Sequence, residues 1–236
     1  MTLAVQLIDW YNNNGRDLPW RQTNNPYIIW LSEIILQQTR VEQGMPYFYK
    51  FVEAYPTVKD FAEADEEDLL RLWQGLGYYS RVRNMHKAAK AVMTEFDGVF
   101  PSTYEDVITL TGVGEYTAAA ISSFSINQKK AVLDGNVFRV LARYFGIDTA
   151  INSTAGKKQF LKIANEVISD KFPGLYNQAI MDFGATVCKP KAPECENCIL
   201  RLDCVAFSKN LIASLPIKTK GKQSRNRYFN YFVIEK

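Results

Sequence analysis

Four cysteines, the only ones in the chain, lie within a stretch of seventeen residues. Cys188, Cys195, Cys198 and Cys204 follow the spacing C-x6-C-x2-C-x5-C. A disulfide is disfavoured, because nothing in the sequence indicates export. Structural zinc and iron–sulfur clusters both take four thiolates, but a zinc site usually has two short pairs of cysteines and only one pair is short here. The spacing predicts a metal centre and leaves zinc and a cluster as alternatives.

A second candidate site is the Gly-Val-Gly turn in LTGVGEYTAAA, which begins at Leu110 and follows the short helical pattern TYEDVITL. Gly112 and Gly114 allow the backbone to turn tightly and to approach a partner closely. Amides at the start of the next helix then form an anion site, which can hold a DNA phosphate without reading a base. A plain connection between two helices is the alternative. The pattern around the turn favours phosphate binding.

Helices must position these groups, because apolar residues recur at helical spacing through most of the chain. Ser32 is expected near the start of the first of these helices. The predicted helical segments are 30–41, 46–54, 65–73, 80–96, 104–110, 116–125, 137–145, 157–168 and 176–187.

The composition is that of an ordinary globular protein, with 236 residues, 47% hydrophobic and 22% charged. No stretch has the length and apolar character of a membrane helix, and the amino terminus has no export signal, so we expect a soluble intracellular protein. The net charge is +3, yet six Lys and Arg residues lie between 209 and 227 without an acid. The preceding body is therefore net acidic, and it can bind nucleic acid only through a locally basic face.

Longer motifs resemble a known family. The hairpin, LDGNVFRVLAR from Leu133 and the cysteine loop resemble the helix-hairpin-helix DNA glycosylase superfamily. GRDLPWR from Gly15, SEIILQQTRVE from Ser32 and GLGYYSRVRNMHKAA from Gly75 are similar to its adenine DNA glycosylase branch, the MutY-type enzymes. The resemblance covers residues 4–208. It implies base excision repair by an enzyme that removes adenine mispaired with 8-oxoguanine or guanine. It also implies a monomer associated with duplex DNA and a [4Fe–4S] cluster on the four cysteines.

The resemblance implies an all-α fold of two helical lobes with the active cleft between them. A six-helix lobe spans residues 25–130 and contains the hairpin, while residues 1–24 and 131–208 form the cluster lobe. Residues 209–227 are predicted to be a flexible basic linker. Residues 228–236 read as a lone strand, the truncated start of a carboxy-terminal domain. In the family that domain recognises oxidised guanine, so we expect this chain to discriminate poorly between 8-oxoguanine and guanine.

Two carboxylates suit the implied reaction, since breaking an N-glycosidic bond needs a proton donor and a negative charge facing the sugar. By resemblance Glu33 protonates adenine at N7, Asp134 stabilises the cationic sugar, and Asn136 positions the reacting groups. Apolar neighbours of Glu33 would raise its pKa. The alternatives are that Glu33 complements the helix dipole after Ser32 and that Asp134 is a helix cap.

Tyr116 distinguishes between branches of the superfamily. Bifunctional relatives carry a lysine at this hairpin position and use it to form a Schiff base with the sugar. A tyrosine has no amine, so we expect a monofunctional glycosylase. A bifunctional glycosylase/lyase for pyrimidine lesions, and a non-catalytic DNA-binding module with structural zinc, are the competing interpretations.

The remaining site residues rest on the resemblance alone. Gln38 and Tyr78 enter the duplex near the damaged guanine, with Thr39 beside them, and base flipping demands such a wedge. From local pattern alone, residues 37–39 would be a polar helix face. Gln178 departs from relatives that carry Glu at this position. The residues that match the adenine pocket are Arg16, Leu18, Trp20, Arg21, Leu36, Val41 and Gln178.

Overall fold

The computed structural model describes residues 1–219 together with residues 228, 229 and 231. Most of the predicted strand at 228–236 and the second half of the predicted linker lie outside the described residues. No helix among the described residues is both long enough and apolar enough to cross a lipid bilayer.

The fold is all-α, as predicted, and the described part of the chain contains no strand. Its helices are α1 (Leu3–Asn14), α2 (Pro26–Ile35), α3 (Val41–Ala54), α4 (Val58–Glu63), α5 (Glu66–Leu72), α6 (Ser80–Glu95), α7 (Tyr104–Val107), α8 (Glu115–Ile126), α9 (Gly135–Phe145), α10 (Thr154–Val167), α11 (Pro173–Thr186) and α12 (Val205–Ser208).

The predicted helix over 30–41 is wrong at both ends. Helix α2 begins at Pro26, because Asn25 caps it by accepting a hydrogen bond from the Tyr27 amide. Asparagine at the cap and proline at the first helical position together favour a helix start. The helix ends at Ile35, and residues 37–39 form a turn in which Gln38 has a φ of +57°. That conformation is left-handed, so residues 37–39 are not the polar helix face expected from the sequence.

A first hydrophobic core fills the space between α2 to α6 and the start of α8. Its centre is aromatic: Trp30, Phe51, Phe61 and Trp73 are fully enclosed. Trp30 meets Phe61 edge-on, with ring centroids 5.7 Å apart, and such contacts add to the stabilisation from burial alone. This core fixes the orientation of α2, on which Glu33 lies.

A second core joins the amino-terminal helix to the later part of the chain. Helix α1 packs on α11, and α11 packs on α9, around buried residues such as Leu7, Phe160 and Phe183. Helix α8 contributes to both cores: Ala118 and Ile121 face the first, and Ala119 and Ala120 face the second. Alanine lets helices approach closely on both sides, so α8 sets the spacing between the two cores.

The beginning of the predicted flexible linker packs onto the second core. Leu215 is buried, and its carbonyl accepts a hydrogen bond of 3.1 Å from Arg143 Nε. The Asn152 side chain donates a hydrogen bond to the Thr219 carbonyl and accepts hydrogen bonds from the Thr219 amide and hydroxyl. The prediction of a flexible segment is therefore wrong over 209–219, because the buried Leu215 and these hydrogen bonds anchor the stretch.

The connection from α8 to α9 is held by a buried amide. Asn177 on α11 donates hydrogen bonds to Ser123 Oγ (2.9 Å) and to the Lys130 carbonyl (2.8 Å), and accepts one from the Val132 amide. This connection leads directly into Asp134.

We expect Asn177→Ala to lower the free energy of unfolding by about 3 kcal/mol, because it leaves buried backbone groups of Lys130 and Val132 without partners. Urea unfolding would measure the change. Asn165→Ala, which removes an exposed amide from α10, is the matched control and should cost less than about 0.5 kcal/mol. Equal losses in the two variants would contradict this role for Asn177.

Candidate active site

Glu33 lies in the last turn of α2, and only 8% of the residue is exposed. Since the helix begins seven residues earlier, at Pro26, Glu33 cannot complement the positive end of its dipole. The alternative based on a helix start near Ser32 is therefore wrong. Ser32 is itself buried within the helix, where its hydroxyl donates to the Ile29 carbonyl.

Burial raises the pKa of the Glu33 carboxyl to about 7, because the charged form loses its hydration. The nearby Tyr116 hydroxyl and the Arg21 guanidinium favour the ionised form, and the negative charge of Asp134 opposes it. A large share of Glu33 is therefore protonated at neutral pH. A protonated carboxyl with a pKa near the working pH suits a general acid.

Asp134 caps α9, and its side chain acts only as a hydrogen-bond acceptor. One carboxyl oxygen accepts from the amides of Asn136 (2.8 Å) and Val137 (2.7 Å), and the other accepts from the Asn136 side chain (2.7 Å). Burial raises the pKa of Asp134, while these donors and the Arg139 guanidinium oppose the rise. Three donors and no acceptor around the carboxyl match its ionised form.

A single cavity of about 350 Å³ is lined by both carboxyl residues, Glu33 from α2 and Asp134 from the start of α9. Tyr116 from α8 also lines it. Burial, and then the negative charges of Glu33 and Asp134, raise the pKa of its phenol well above the usual value. The cavity thus joins residues from both hydrophobic cores. Its other lining residues among those singled out in the sequence are Arg16, Leu18, Trp20, Arg21, Leu36, Gln38, Thr39, Val41, Asn136 and Gln178.

Asp182 on α11 organises one wall of this cavity and was not found from the sequence. It is fully buried and accepts hydrogen bonds from Arg16 Nε (2.7 Å) and Arg21 Nη2 (3.0 Å). Burial by itself would raise the pKa of Asp182, but the bonds from Arg21 and Arg16 outweigh that effect and lower it. In the sequence, only its position between the apolar residues Met181 and Phe183 indicates that Asp182 is buried. A buried charge needs partners of opposite charge.

Gln178 lies one turn before Asp182 on the same face of α11. Its side-chain oxygen accepts a hydrogen bond of 3.0 Å from the Tyr11 hydroxyl of α1. The Tyr11 ring also lies 5.4 Å from the guanidinium carbon of Arg21. Helix α1 therefore supports the same wall as α11.

Three residues expected at the DNA lie outside the cavity. Tyr78 is 67% exposed, on the loop before α6. Gly112 has a φ of +83°, and a side chain there would clash with Asn84 at 2.8 Å. Gly114 caps α8 without any side-chain hydrogen bond, so the first amides of that helix are left for another acceptor.

Arg143 of α9 contacts both the first and the last cysteine of the loop. Arg143 Nη1 lies 3.4 Å from Cys188 Sγ, and the thiol of Cys204 lies 3.5 Å from the Arg143 carbonyl. Burial raises the pKa of Cys198 to about 11, and the charges of the other three cysteines raise it further. Burial also raises the pKa of Cys204, although the backbone amides of Ala206 and Phe207 in α12 oppose that rise.

The donor set at this loop consists of four thiols and therefore fits a group that takes four thiolates, either zinc or an iron–sulfur cluster. Within the described residues, no three His, Cys, Asp or Glu side chains are arranged to hold a single metal ion.

Comparison with known proteins identifies relatives along the whole chain. Residues 31–168 match the HhH-GPD superfamily of base excision DNA repair proteins. Adenine DNA glycosylase of Buchnera aphidicola subsp. Schizaphis graminum is 38% identical over 248 residues, covering 100% of this chain and 72% of that protein. The human adenine DNA glycosylase is 40% identical over 209 residues, covering 85% of this chain and 38% of that protein. The chain thus spans about two thirds of the Buchnera relatives and about two fifths of the mammalian ones.

Solved structures agree with the sequence relatives. A thermostable thymine-DNA glycosylase superposes with a TM-score of 0.80 at 28% identity, covering 87% of this chain and 95% of that one. An endonuclease III in a non-covalent DNA complex gives a TM-score of 0.74 over 88% of this chain and 94% of that one. Its 19% identity shows the shared fold alone. The chain belongs to the HhH-GPD superfamily of base excision DNA repair proteins, and within it to the adenine DNA glycosylases, which are DNA N-glycosylases.

Proposed function

We propose that this chain is a monofunctional glycosylase that removes adenine mispaired with 8-oxoguanine or guanine in duplex DNA. The observation that carries the proposal is one cavity lined by Glu33, a carboxyl with a pKa of about 7, and by Asp134, a carboxyl that accepts three hydrogen bonds. The adenine DNA glycosylase relatives supply the substrate base. Every proposed catalytic residue comes from one chain, so we expect a monomer to suffice.

Glu33 acts first, as the general acid. It donates its proton to N7 of adenine, and the ring then accepts the electron pair of the breaking bond between the base and the sugar carbon. Adenine leaves as a neutral molecule, and the sugar becomes an oxocarbenium-like cation. Water then adds to that carbon, and the Glu33 carboxylate takes up the proton released by the water.

Asp134 supplies the negative charge that stabilises the cationic sugar. Asn136 positions that carboxylate through its side-chain hydrogen bond, and Arg139 holds the Asn136 amide in turn (2.8 Å). Tyr116 keeps its proton because its pKa is raised, so it can donate a hydrogen bond within the site. No lysine lines the described cavity, which supports a hydrolytic reaction without a Schiff base.

The adenine pocket is the wall formed by Arg16, Arg21 and Gln178 together with apolar residues such as Leu18 and Trp20. A mostly apolar cavity with a few oriented polar groups is typical of sites for flat ring compounds. The ion pairs to Asp182 fix both guanidinium groups before the base arrives. Pre-ordered groups lose little entropy on binding.

Duplex DNA is the proposed partner. The open amides of α8 beyond Gly112 and Gly114 would bind a phosphate, and Gln38, Thr39 and Tyr78 would enter the duplex as the adenine flips out. The four cysteines would hold a [4Fe–4S] cluster. When bound, such a cluster cross-links the loop from 188 to 204 through four metal–thiolate bonds.

We expect Glu33→Gln to lower the single-turnover rate of adenine excision by about 10²- to 10⁴-fold, because the amide cannot donate the proton. The amide has nearly the same size, so the dissociation constant for the duplex should change less than about threefold. Oligonucleotide duplexes with adenine opposite 8-oxoguanine or guanine are the substrates. Glu166→Gln, an exposed position on α10, is the control and should keep the parent rate.

Two results would count against this assignment. Excision by Glu33→Gln at the parent rate would remove Glu33 as the acid. A parent protein that releases thymine glycol and leaves adenine in place would instead favour the pyrimidine-lesion interpretation.

We also expect no covalent adduct when the protein reacts with its DNA substrate in the presence of borohydride, which traps Schiff bases. Tyr116→Lys is the positive control, because it introduces an amine beside the sugar site. Trapping by the parent protein as efficient as by this variant would contradict the monofunctional assignment. Gel separation of the adduct gives the measurement.

A further inference from the structure

Two exposed loops contain strained residues that the reaction chemistry does not explain. Gln38, in the first loop (residues 37–39), has a φ of +57°, and Tyr78, in the second loop (residues 76–78), has a φ of +46°. Neither is a glycine, and this conformation disfavours residues with a side chain. Such strain persists only where the surroundings impose it, and it is common at functional sites.

The first loop is held by Arg81 of α6. Its Nη1 donates to the carbonyls of Ile34 (2.9 Å), Ile35 (3.3 Å) and Gln37 (2.6 Å). The first two belong to the last turn of α2, where a cation also complements the helix dipole, although the Ile34 carbonyl accepts from the Gln37 amide as well (3.3 Å). The third belongs to the residue immediately before Gln38. Arg81 therefore ends the helix and fixes the peptide that enters the strained position.

The second loop is held by the other nitrogen of the same guanidinium. Arg81 Nη2 donates to the carbonyls of Leu76 (3.0 Å) and Gly77 (3.5 Å), the latter immediately before Tyr78. The guanidinium carbon also lies 4.9 Å from the centroid of the Trp73 ring, whose Nε1 donates to the same Gly77 carbonyl (2.9 Å). One side chain thus binds the peptide preceding each strained residue.

This arrangement requires arginine in particular. A guanidinium is planar and can donate in two directions from two nitrogens while its face lies against an aromatic ring. A lysine ammonium is a single point with three donors, so it cannot serve five carbonyls in two loops. The contacts lie in a partly buried position, where charge-assisted hydrogen bonds are strong.

We propose that Arg81 is a positioning residue that clamps the two loops at a fixed separation, so that Gln38 and Tyr78 enter the duplex together. The inference rests on the proposed function, since it assigns to Arg81 the alignment of the side chains that open the stack. A loose pair of loops would still bind DNA through the hairpin, but would lose the alignment needed to hold the flipped base.

The clamp is tested first without DNA, by hydrogen exchange of the amides of both loops. In the parent protein the two loops should exchange at similar rates, as one cooperative unit. Arg81→Lys should speed exchange in both loops by about tenfold or more and leave the centre of α2 unchanged. Loops that exchange independently in the parent protein, or a change confined to one loop, would overturn the clamp. The parent measurement decides the matter even if the variant does not fold.

The consequence for the reaction is tested with 2-aminopurine placed beside the target adenine, because its fluorescence rises when the stack opens. Arg81→Lys should lose most of that rise and excise adenine about 10- to 100-fold more slowly, with duplex affinity within about threefold of the parent. In a Gln38→Ala/Tyr78→Ala background, the same substitution should change the rate less than about twofold, since Arg81 acts through those side chains. Full additivity would overturn the positioning role.

Arg83→Lys is the matched control on the same helix, because Arg83 is exposed and pairs only with Glu66 among the described residues. It should leave loop exchange, fluorescence and rate at parent values. If the parent protein does not excise adenine, the proposed function fails and hydrogen exchange alone decides the clamp. If the parent excises adenine and Arg81→Lys does so equally well, the clamp fails and the proposed function stands.

Discussion

The enclosure of the Glu33 carboxyl between two hydrophobic cores is the constraint on which the rest of the site depends. Burial on α2 raises the pKa of this carboxyl to about 7, and α2 is fixed by the aromatic core around Trp30. Asp134 reaches the same cavity from the second core, where three donors hold its charge. The two carboxyls thus reach one cavity from different cores, and α8 contributes buried residues to both cores.

Most helices follow from the periodicity of apolar residues. The helix predicted over 30–41 starts too late because its local cap, Asn25 followed by Pro26, lies outside the apolar pattern. The predicted helix over 30–41 ends instead at Ile35, where Arg81, more than forty residues later, donates to the carbonyls of Ile34 and Ile35. The residues around Ile35 in the sequence do not indicate this contact with Arg81. The basic residues between 209 and 227 likewise favour a flexible linker, but within 209–219 the buried Leu215 anchors the chain to the body.

Part of the candidate site could be predicted from the sequence. The cysteines and the hairpin were found from residue type and spacing, and the resemblance pointed to Glu33 and Asp134. Asp182 was missed because its partners, Arg16 and Arg21, lie more than 160 residues away, and only the fold brings them together. Residue type alone also could not separate buried from exposed cations: Arg21 is held within the pocket wall, whereas Arg83 lies on the surface.

The most direct test of the account is the titration of Glu33 itself in the free protein. Carbon-13 NMR of side-chain carboxyls, with the Glu33→Gln variant used to assign the signal, gives the pKa without any assumption about the substrate. We expect a midpoint of about 7 for Glu33. A midpoint near the ordinary glutamate value of about 4.3 would contradict it, because an ionised carboxylate has no proton to give to adenine.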